Sequence, residues 1–374
     1  MNIAINTLAI GSAGGRGYAQ MLIKYLADTN ASNKYYVFLD PTKEDIMTEA
    51  ENFEYIKCKT SLRNIVLRLL WEQLVLPVML KRRGVDVLYN LSGYDIFLAP
   101  CKRVFKIGNM APFCPQVIQE ESINKKIKLS LLKRLGFFSF NTADAVIAMS
   151  DKAKQDILEL TNAPRNKFFG ILHSADLKNF SGEDSTAAEF KESEYILTVS
   201  HIYRYKKILE VIAGFGIFLE NNRGIQTKLV IVGDIRNKDY YSELLNLIKD
   251  KSLEEKVIFL GFVPRNQLYS LYKKCKILVF SSIVEACSRT LIEAMKSGTA
   301  ILCSDRSAMP EICEDAAMYF DPDNPIEIAE KIEKLLSSPE AIEQMKEKSI
   351  KRAEEFDWAK TVSETLQVLQ GVVT

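Results

Sequence analysis

Glu285 and Glu293 stand with seven residues between them in the stretch Phe280-Ser-Ser-Ile-Val-Glu285-Ala-Cys-Ser-Arg-Thr-Leu-Ile-Glu293-Ala-Met-Lys-Ser-Gly298. A strand pattern ends at Ser281 and a helical pattern starts near Ser288, which puts Glu285 in a loop and Glu293 about two turns into a helix. Carboxylates so placed accept hydrogen bonds from hydroxyls at opposite ends of one elongated ligand. The N–H groups of Ala286, Cys287, Ser288, Arg289 and Thr290 lie between them, and at a helix start they favour a phosphate. The plain alternative is a helix carrying a surface glutamate.

A second cluster follows the first apolar run. In Gly11-Ser-Ala-Gly14-Gly15-Arg16-Gly17 the residues Gly11, Gly14 and Gly17 recur at three-residue spacing before a helical pattern. Glycines there let the backbone approach a ligand closely, although the ordered dinucleotide fingerprint G-x-G-x-x-G is absent. Asp40 ends the next strand, where a ribose-binding acid would lie, so a nicotinamide-dependent oxidoreductase stays open. Asp321-Pro-Asp323 is a D-x-D pair of the kind that can hold a metal, but it opens a proline-bounded turn, and no metal is expected there. The seven cysteines include no C-x-x-C pair, and His173 and His201 are the only histidines, so no zinc or iron–sulfur spacing exists locally. Free thiols in a reducing compartment are the expectation.

Elements that would position these residues are legible as short apolar runs alternating with helical periodicity. The expected strands are 3–8, 35–39, 54–57, 86–89, 103–107 and 145–149, then 195–199, 228–232, 257–260, 277–280 and 300–303. Stretches such as 18–26, 64–80 and 208–219 carry apolar residues at helical spacing. Two successive β-α series predict an α/β chain with two doubly wound parallel sheets, whose ligands bind beyond the carboxyl ends of the strands. The polar stretch 177–194 is the expected linker. The start of the chain lacks the charged region of a signal peptide, and no run approaches 18 apolar residues, so a cytoplasmic protein without a spanning segment is expected.

The Glu285–Glu293 stretch resembles the E-x7-E signature of retaining glycosyltransferases of family 4, which have the GT-B fold. The likeness extends along the chain. Val199-Ser-His201-Ile-Tyr-Arg204-Tyr-Lys206-Lys207 resembles the G-R-x-x-x-x-K-G loop, with Lys206 at the lysine and His201 at the arginine. Ile231-Val-Gly233-Asp234 is similar to the V-G-x-G strand end, Gly261-Phe-Val263-Pro264 to the turn that holds the base, and Ala308-Met-Pro310-Glu311 to the P-E-I loop. His173-Ser-Ala-Asp176-Leu…Phe180 resembles the N-G-V-D-x-x-x-F hinge. The resemblance implies two Rossmann-like domains facing across a cleft: an acceptor domain of residues 1–175 completed by a returning helix at 358–374, and a donor domain of residues 176–357. It implies that Glu293 binds the ribose hydroxyls, Glu285 a hydroxyl of the donor sugar, and the backbone at Val263 the base edge. Gly14, Gly15 and Gly233 would lie along the donor. Lys206, with Arg204 or His201, would neutralise the departing diphosphate, a task that preorganised cations perform without a metal. The expected substrates are a UDP- or GDP-linked sugar and a glycan or lipid-linked glycan. No cofactor and no nucleic acid partner are expected.

One position departs from the resemblance. The loop after strand 103–107 reads Gly108-Asn109-Met110-Ala-Pro112-Phe113, where family members often carry a histidine facing the sugar. Asn109 can hydrogen-bond a sugar but cannot act as a base. A front-face route to retention, in which the leaving phosphate takes the acceptor proton, needs none. A non-catalytic nucleotide-sugar-binding module and a nucleotide-sugar epimerase are the competing classes alongside the oxidoreductase.

Charge is unevenly placed. The chain of 374 residues has a formal net charge of +1, yet residues 1–173 hold 23 basic and 16 acidic side chains and the remainder 26 and 32. That pattern excludes a uniformly basic nucleic-acid coat. Residues 61–135 alone carry 13 basic against five acidic side chains. Within them 124–138 mixes cations with Leu and Phe at helical spacing, as segments lying on anionic membranes do. Lys125, Lys126, Lys128, Lys133 and Arg134 would dock electrostatically, with Leu129, Leu132, Phe137 and Phe138 inserting beside them. Peripheral attachment to the inner membrane face through 61–138, and a role in cell-surface polysaccharide synthesis, are the resulting expectations.

Overall fold

Each apolar run followed by a helical pattern becomes a strand and its crossover, and every strand pairing among the described residues is parallel. The computed structural model describes residues 1–11, 13–29, 32–175 and 195–374. These divide into two units: Met1–Ile118 with Ser122–Ser174 and Asp357–Thr374, and Ala175–Phe356 with Gln119–Glu121. The expected linker at 177–194, and Asp176 and Phe180 of the expected hinge, lie outside the described residues.

The first unit is built on β1 (Asn2–Asn6), β2 (Lys34–Leu39), β3 (Phe53–Lys57), β4 (Val87–Asn90), β5 (Lys102–Ile107), β6 (Ala145–Ala148) and β7 (Phe168–Gly170), in the sheet order β3-β2-β1-β4-β5-β6-β7. Its helices before the second unit are α1 (Ala13–Thr29), α2 (Ile65–Leu74), α3 (Leu76–Arg82), α4 (Pro115–Glu120), α5 (Ile123–Thr142) and α6 (Asp151–Glu159). The steps β3 to β4 and β5 to β6 run the same way across the sheet, and β1 to β2 runs the other way. Right-handed crossovers therefore set α2, α3 and α5 on one face and α1 on the opposite one. On the first face Leu76 and Leu80 of α3 pack on Ala4, Phe38 and Leu88 of the strands, with Trp71 and Leu135 against them. The helical pattern at 64–80 is broken at Val75 because Pro77 starts a new helix, having no N–H for an interior turn.

In the second unit β8 (Tyr195–Val199), β9 (Lys228–Val232), β10 (Val257–Gly261), β11 (Ile277–Phe280), β12 (Ile301–Ser304) and β13 (Ala317–Phe320) take the order β10-β9-β8-β11-β12-β13. The crossovers are α7 (Ile208–Asn221), α8 (Lys238–Asp250), α9 (Arg265–Lys274), α10 (Arg289–Lys296) and α11 (Met309–Cys313), followed by α12 (Pro325–Leu336) and α13 (Pro339–Ala353). Phe215 and Phe218 of α7 and Ile328 and Ile332 of α12 share one buried core with strand residues such as Ile196, Leu229 and Val279.

The chain then returns to the first unit as α14 (Trp358–Gly371). Trp358 is buried against Tyr18 of α1 at 5.5 Å and His173 at 6.1 Å between ring centroids, and the Thr361 hydroxyl donates to the Leu172 carbonyl at 2.8 Å. None of the seven cysteines is in a disulfide. No helix among the described residues is long and apolar enough to cross a membrane.

Candidate active site

The loops after β8 and β11, neighbours at the middle of the second sheet, are laced together. The Ile283 N–H donates to the Tyr205 carbonyl at 3.0 Å, and the Ser281 hydroxyl donates to the Lys206 carbonyl at 2.7 Å. Along that seam the Lys206 ammonium pairs with the Glu285 carboxylate, both side chains being largely buried. Ser307, in left-handed backbone at φ 52°, clamps Glu285 from the next loop. Its hydroxyl donates to the Glu285 carbonyl at 2.9 Å and accepts the Glu285 N–H at 3.2 Å. Both charged groups are thus fixed through their backbones as well as by each other.

Ser288 caps α10 through the Leu291 N–H, and the loop residues Ala286 and Ser288 are buried, with Cys287 partly so. Arg289 and Thr290 open the helix. Glu293 is its fifth residue, one turn in rather than the expected two, because the helix starts at Arg289. The Glu293 carboxylate is buried and accepts from Arg265 at 2.6 Å and from Arg289 at 3.4 Å. Burial presses the Arg289 guanidinium below its ordinary pKa, while the charge of Glu293 opposes that shift. Arg265 begins α9, directly after Val263 and Pro264. Val263, expected to face a base, is buried beside exposed Phe262, and Gly261 before them has φ 65°.

Gly233 directly follows β9 at φ 147°, where a Cβ would sit 2.1 Å from the Ser200 carbonyl oxygen. Only glycine lets β9 pass this close to the start of the 200–207 loop.

Arg204 and His201, the other expected cations, each have a further partner. The Arg204 guanidinium is taken by Glu243 of α8 in a two-pronged pair at 2.8 and 2.5 Å and lies over the Tyr240 ring. That pairing raises its pKa and lowers that of Glu243. His201 faces the Asp234 N–H through Nδ1 at 3.3 Å. Burial first, and then the charges of Arg236 and Lys206 against the opposing pull of Asp234, push its pKa below the ordinary histidine value. That shift favours the neutral imidazole, which lacks the charge of a guanidinium. Gly14 and Gly15 lie within the first turn of α1 rather than in a loop before it, and Asn109 caps a short turn by accepting the Ala111 N–H at 3.0 Å. These three belong to the first unit.

Several contributors lie outside the sequence reading. Ser281, Ser307 and Arg265 act through contacts made across long sequence separations. Lys207, in left-handed backbone at φ 53° where the resembled loop has glycine, is buried and pairs with Glu210 at 3.5 Å and Asp323 at 2.8 Å. Its signal was the Lys-for-Gly departure itself. Both carboxylates of the D-x-D are engaged, Asp323 by Lys207 and Asp321 by Arg306 at 2.8 Å. No cluster able to hold a metal occurs among the described residues. Asp40, given to a ribose by the oxidoreductase reading, caps the turn at Thr42 and is bound by Arg63 at 2.9 Å, which holds its pKa well below the usual carboxylate range.

Residues 182–352 match the family model described as "Glycosyl transferases group 1". The chain is 27% identical over 231 residues to the serotype-specific mannosyltransferase WbdA of Escherichia coli, covering 59% of this chain and 28% of that protein. Over 99% of both chains it is 24% identical to the N-acetylgalactosamine-N,N'-diacetylbacillosaminyl-diphospho-undecaprenol 4-alpha-N-acetylgalactosaminyltransferase of Campylobacter jejuni. The chain therefore spans little more than a quarter of the first relative and nearly all of the second. Among solved structures, sucrose-phosphate synthase from Thermosynechococcus elongatus aligns over 100% of this chain and 99% of its own, with a TM-score of 0.78 at 16% identity. The second unit thus carries the residues that match the group 1 glycosyl transferase model, and the chain has the GT-B fold.

Proposed function

We propose that the chain transfers a sugar from a nucleoside diphosphate sugar, with retention at the anomeric carbon and without a metal, to a glycan or lipid-linked glycan of the cell surface. The observation that carries this reading is the Lys206–Glu285 pair, set beside the capped start of α10 with Glu293 one turn further on. In the proposed complex the Glu293 carboxylate takes the ribose hydroxyls and the backbone at Val263 reads the base. N–H groups from Ala286 to Thr290 hold the diphosphate, where the helix dipole favours negative charge. Lys206 neutralises the oxygen charge that grows as the glycosidic bond breaks, and Glu285 holds a hydroxyl of the sugar. The leaving phosphate takes the acceptor proton on the same face, so Asn109 is needed only to hydrogen-bond. Engagement of both D-x-D carboxylates by Arg306 and Lys207 supports leaving-group stabilisation by Lys206.

The two relatives support a polysaccharide or lipid-linked acceptor: one is named a serotype-specific mannosyltransferase, and the other acts on a diphospho-undecaprenol glycan by its name. An anionic membrane surface at 61–138 is the matching partner, with the catalyst on the cytoplasmic side. The test is thermal-shift screening against UDP-, GDP-, dTDP- and ADP-sugars, followed by nuclear magnetic resonance of the product's anomeric configuration. A shift with one base class and a retained configuration are expected. Inversion would end the front-face reading, and nicotinamide binding in place of sugar nucleotides would end the transferase assignment of the site.

A further inference from the structure

Of the 20 large apolar side chains that stand exposed among the described residues, 12 fall between residues 65 and 138 of the first unit. They form two ladders. Val66, Leu70 and Leu74 follow one another at four-residue steps along α2, exposed Val78 stands on α3 beyond them, and Ile123, Ile127 and Leu131 keep the same step along α5. Residues four apart share a helix face. Leu74 is 60% and Leu131 65% exposed. A surface helix ordinarily turns its apolar stripe to the core and a polar face to water. Here all three helices pack inward, through Trp71, Leu76, Leu80 and Leu135, and still present a second apolar stripe outward.

The two ladders lie on one surface. Their helices flank the 94–98 loop: Gln73 of α2 donates to the Asp95 carbonyl at 3.2 Å, the Asp95 N–H donates to Ser139 of α5 at 2.9 Å, and Phe97 meets Phe138 at 4.7 Å. Exposed Leu98 continues the apolar surface between them. The expected insertion residues are thereby corrected. Leu129, Leu132 and Phe137 are half-buried, Phe137 packing on Phe113 and Phe140, while Ile123, Ile127 and Leu131 point outward with Phe138.

Charge follows the same surface. Residues 61–83 and 122–143 contain ten Lys and Arg and a single carboxylate, Glu72. That carboxylate is fully buried, accepting from Asn6 at 2.7 Å and from the Tyr94 hydroxyl at 2.6 Å. Arg63 and Arg83 answer Asp40 and Glu54 at the margin. Lys81, Arg82, Lys128 and Arg134 are exposed near the ladders.

We infer that α2, α3 and α5 form one insertion face whose occupant is the boundary between headgroups and acyl chains of an anionic bilayer. Aliphatic ladders edged by cations, with no exposed carboxylate, match a negatively charged interface that offers apolar depth. A protein partner would favour Trp, Tyr and Arg anchors, whereas Leu is under-represented among them. The inference deepens the lipid-linked-acceptor reading and takes its purpose from it, but its test does not depend on it. Apolar insertion adds a component that salt does not screen, which electrostatic docking by α5 alone would lack.

The test is sedimentation of the full chain with phosphatidylcholine vesicles and with mixed phosphatidylcholine–phosphatidylglycerol vesicles. Each is run at about 0.1 M and about 1 M salt, where the screening length falls from about 10 Å to about 3 Å. Binding to the anionic vesicles at low salt, with a fraction surviving high salt, is expected. L70Q/L74Q and I127Q/L131Q should each remove the surviving fraction and lower low-salt binding roughly tenfold, and K128E/R134E should lower only the salt-sensitive part. No binding to anionic vesicles at low salt overturns the inference. Binding abolished by salt and indifferent to the apolar variants overturns insertion, and a solution dimer lost in those variants assigns the face to a second copy instead. Donor-sugar thermal shifts on the same samples separate the two readings. A retained shift without vesicle binding sinks the insertion face alone, and vesicle binding without any shift sinks the transferase reading alone.

Discussion

The Lys206 ammonium and the Glu285 carboxylate are each other's counter-charge across 79 residues of sequence, joining the loops after β8 and β11. A nucleoside diphosphate sugar would offer each a replacement of suitable kind: phosphate oxygens for the ammonium, sugar hydroxyls for the carboxylate. Donor binding is then an exchange of partners rather than the burial of two bare charges, which would cost several kcal/mol per ion.

Lys206→Ala should therefore lower kcat by about 10²–10³-fold, the scale seen when one preorganised group at a developing charge is lost. Donor KM should change much less. Rates near wild type in a steady-state assay would remove Lys206 from the leaving-group role.

Glu293→Ala should weaken nucleotide binding and also cost roughly 2–3 kcal/mol of stability, because it strips the partner carboxylate from buried Arg289 and from Arg265. Urea titration reads the second effect and a donor titration the first. Glu293→Gln keeps the shape and should cost less stability. Unchanged donor affinity in both variants would contradict the ribose role.

Gly233→Ala places a methyl group against the Ser200 carbonyl in a backbone region closed to other residues. A loss of about 2–4 kcal/mol is expected, with the 200–207 loop displaced and donor binding weakened along with it. A melting curve superposable on that of the parent protein would refute the close approach.

His201 carries the pH prediction. Burial, with the neighbouring cations, lowers its pKa in the folded chain, so the unfolded chain binds more protons below about pH 6.5. Its contribution to stability is complete above that value and is lost as the pH falls through the folded pKa. Thermal melts between about pH 5 and pH 8 should show a steeper acid-side decline in the parent than in His201→Asn. Parallel declines would show that the imidazole is not shifted.

Much of the scaffold was legible because each strand here is a short apolar run with turn residues after it. The strands at 195–199, 228–232 and 277–280 were read to the residue. β7 and β13 were not, being short edge strands whose residues are mostly only partly buried. Helix 64–80 was read as one segment because its apolar spacing runs on past Pro77, although the helix is interrupted at Val75. Within the site, motif spacing pointed to Glu285, Glu293 and Lys206. It could not tell that Glu243 withdraws Arg204, or that Arg265 reaches Glu293, since those pairings are set by how the crossovers pack.

The return of α14 to the first unit has a consequence for how the molecule is made. The surface of α1 around Tyr18 that Trp358 covers stays open while the ribosome produces all of Ala175–Phe356. The second unit, continuous in the chain apart from residues 119–121, can therefore reach its native core while the unit begun earlier still lacks a wall. A nascent chain stalled before Asp357 should expose Tyr18 and His173 to chaperones and proteases, and protection should arrive with the last helix. The half that starts first is finished last.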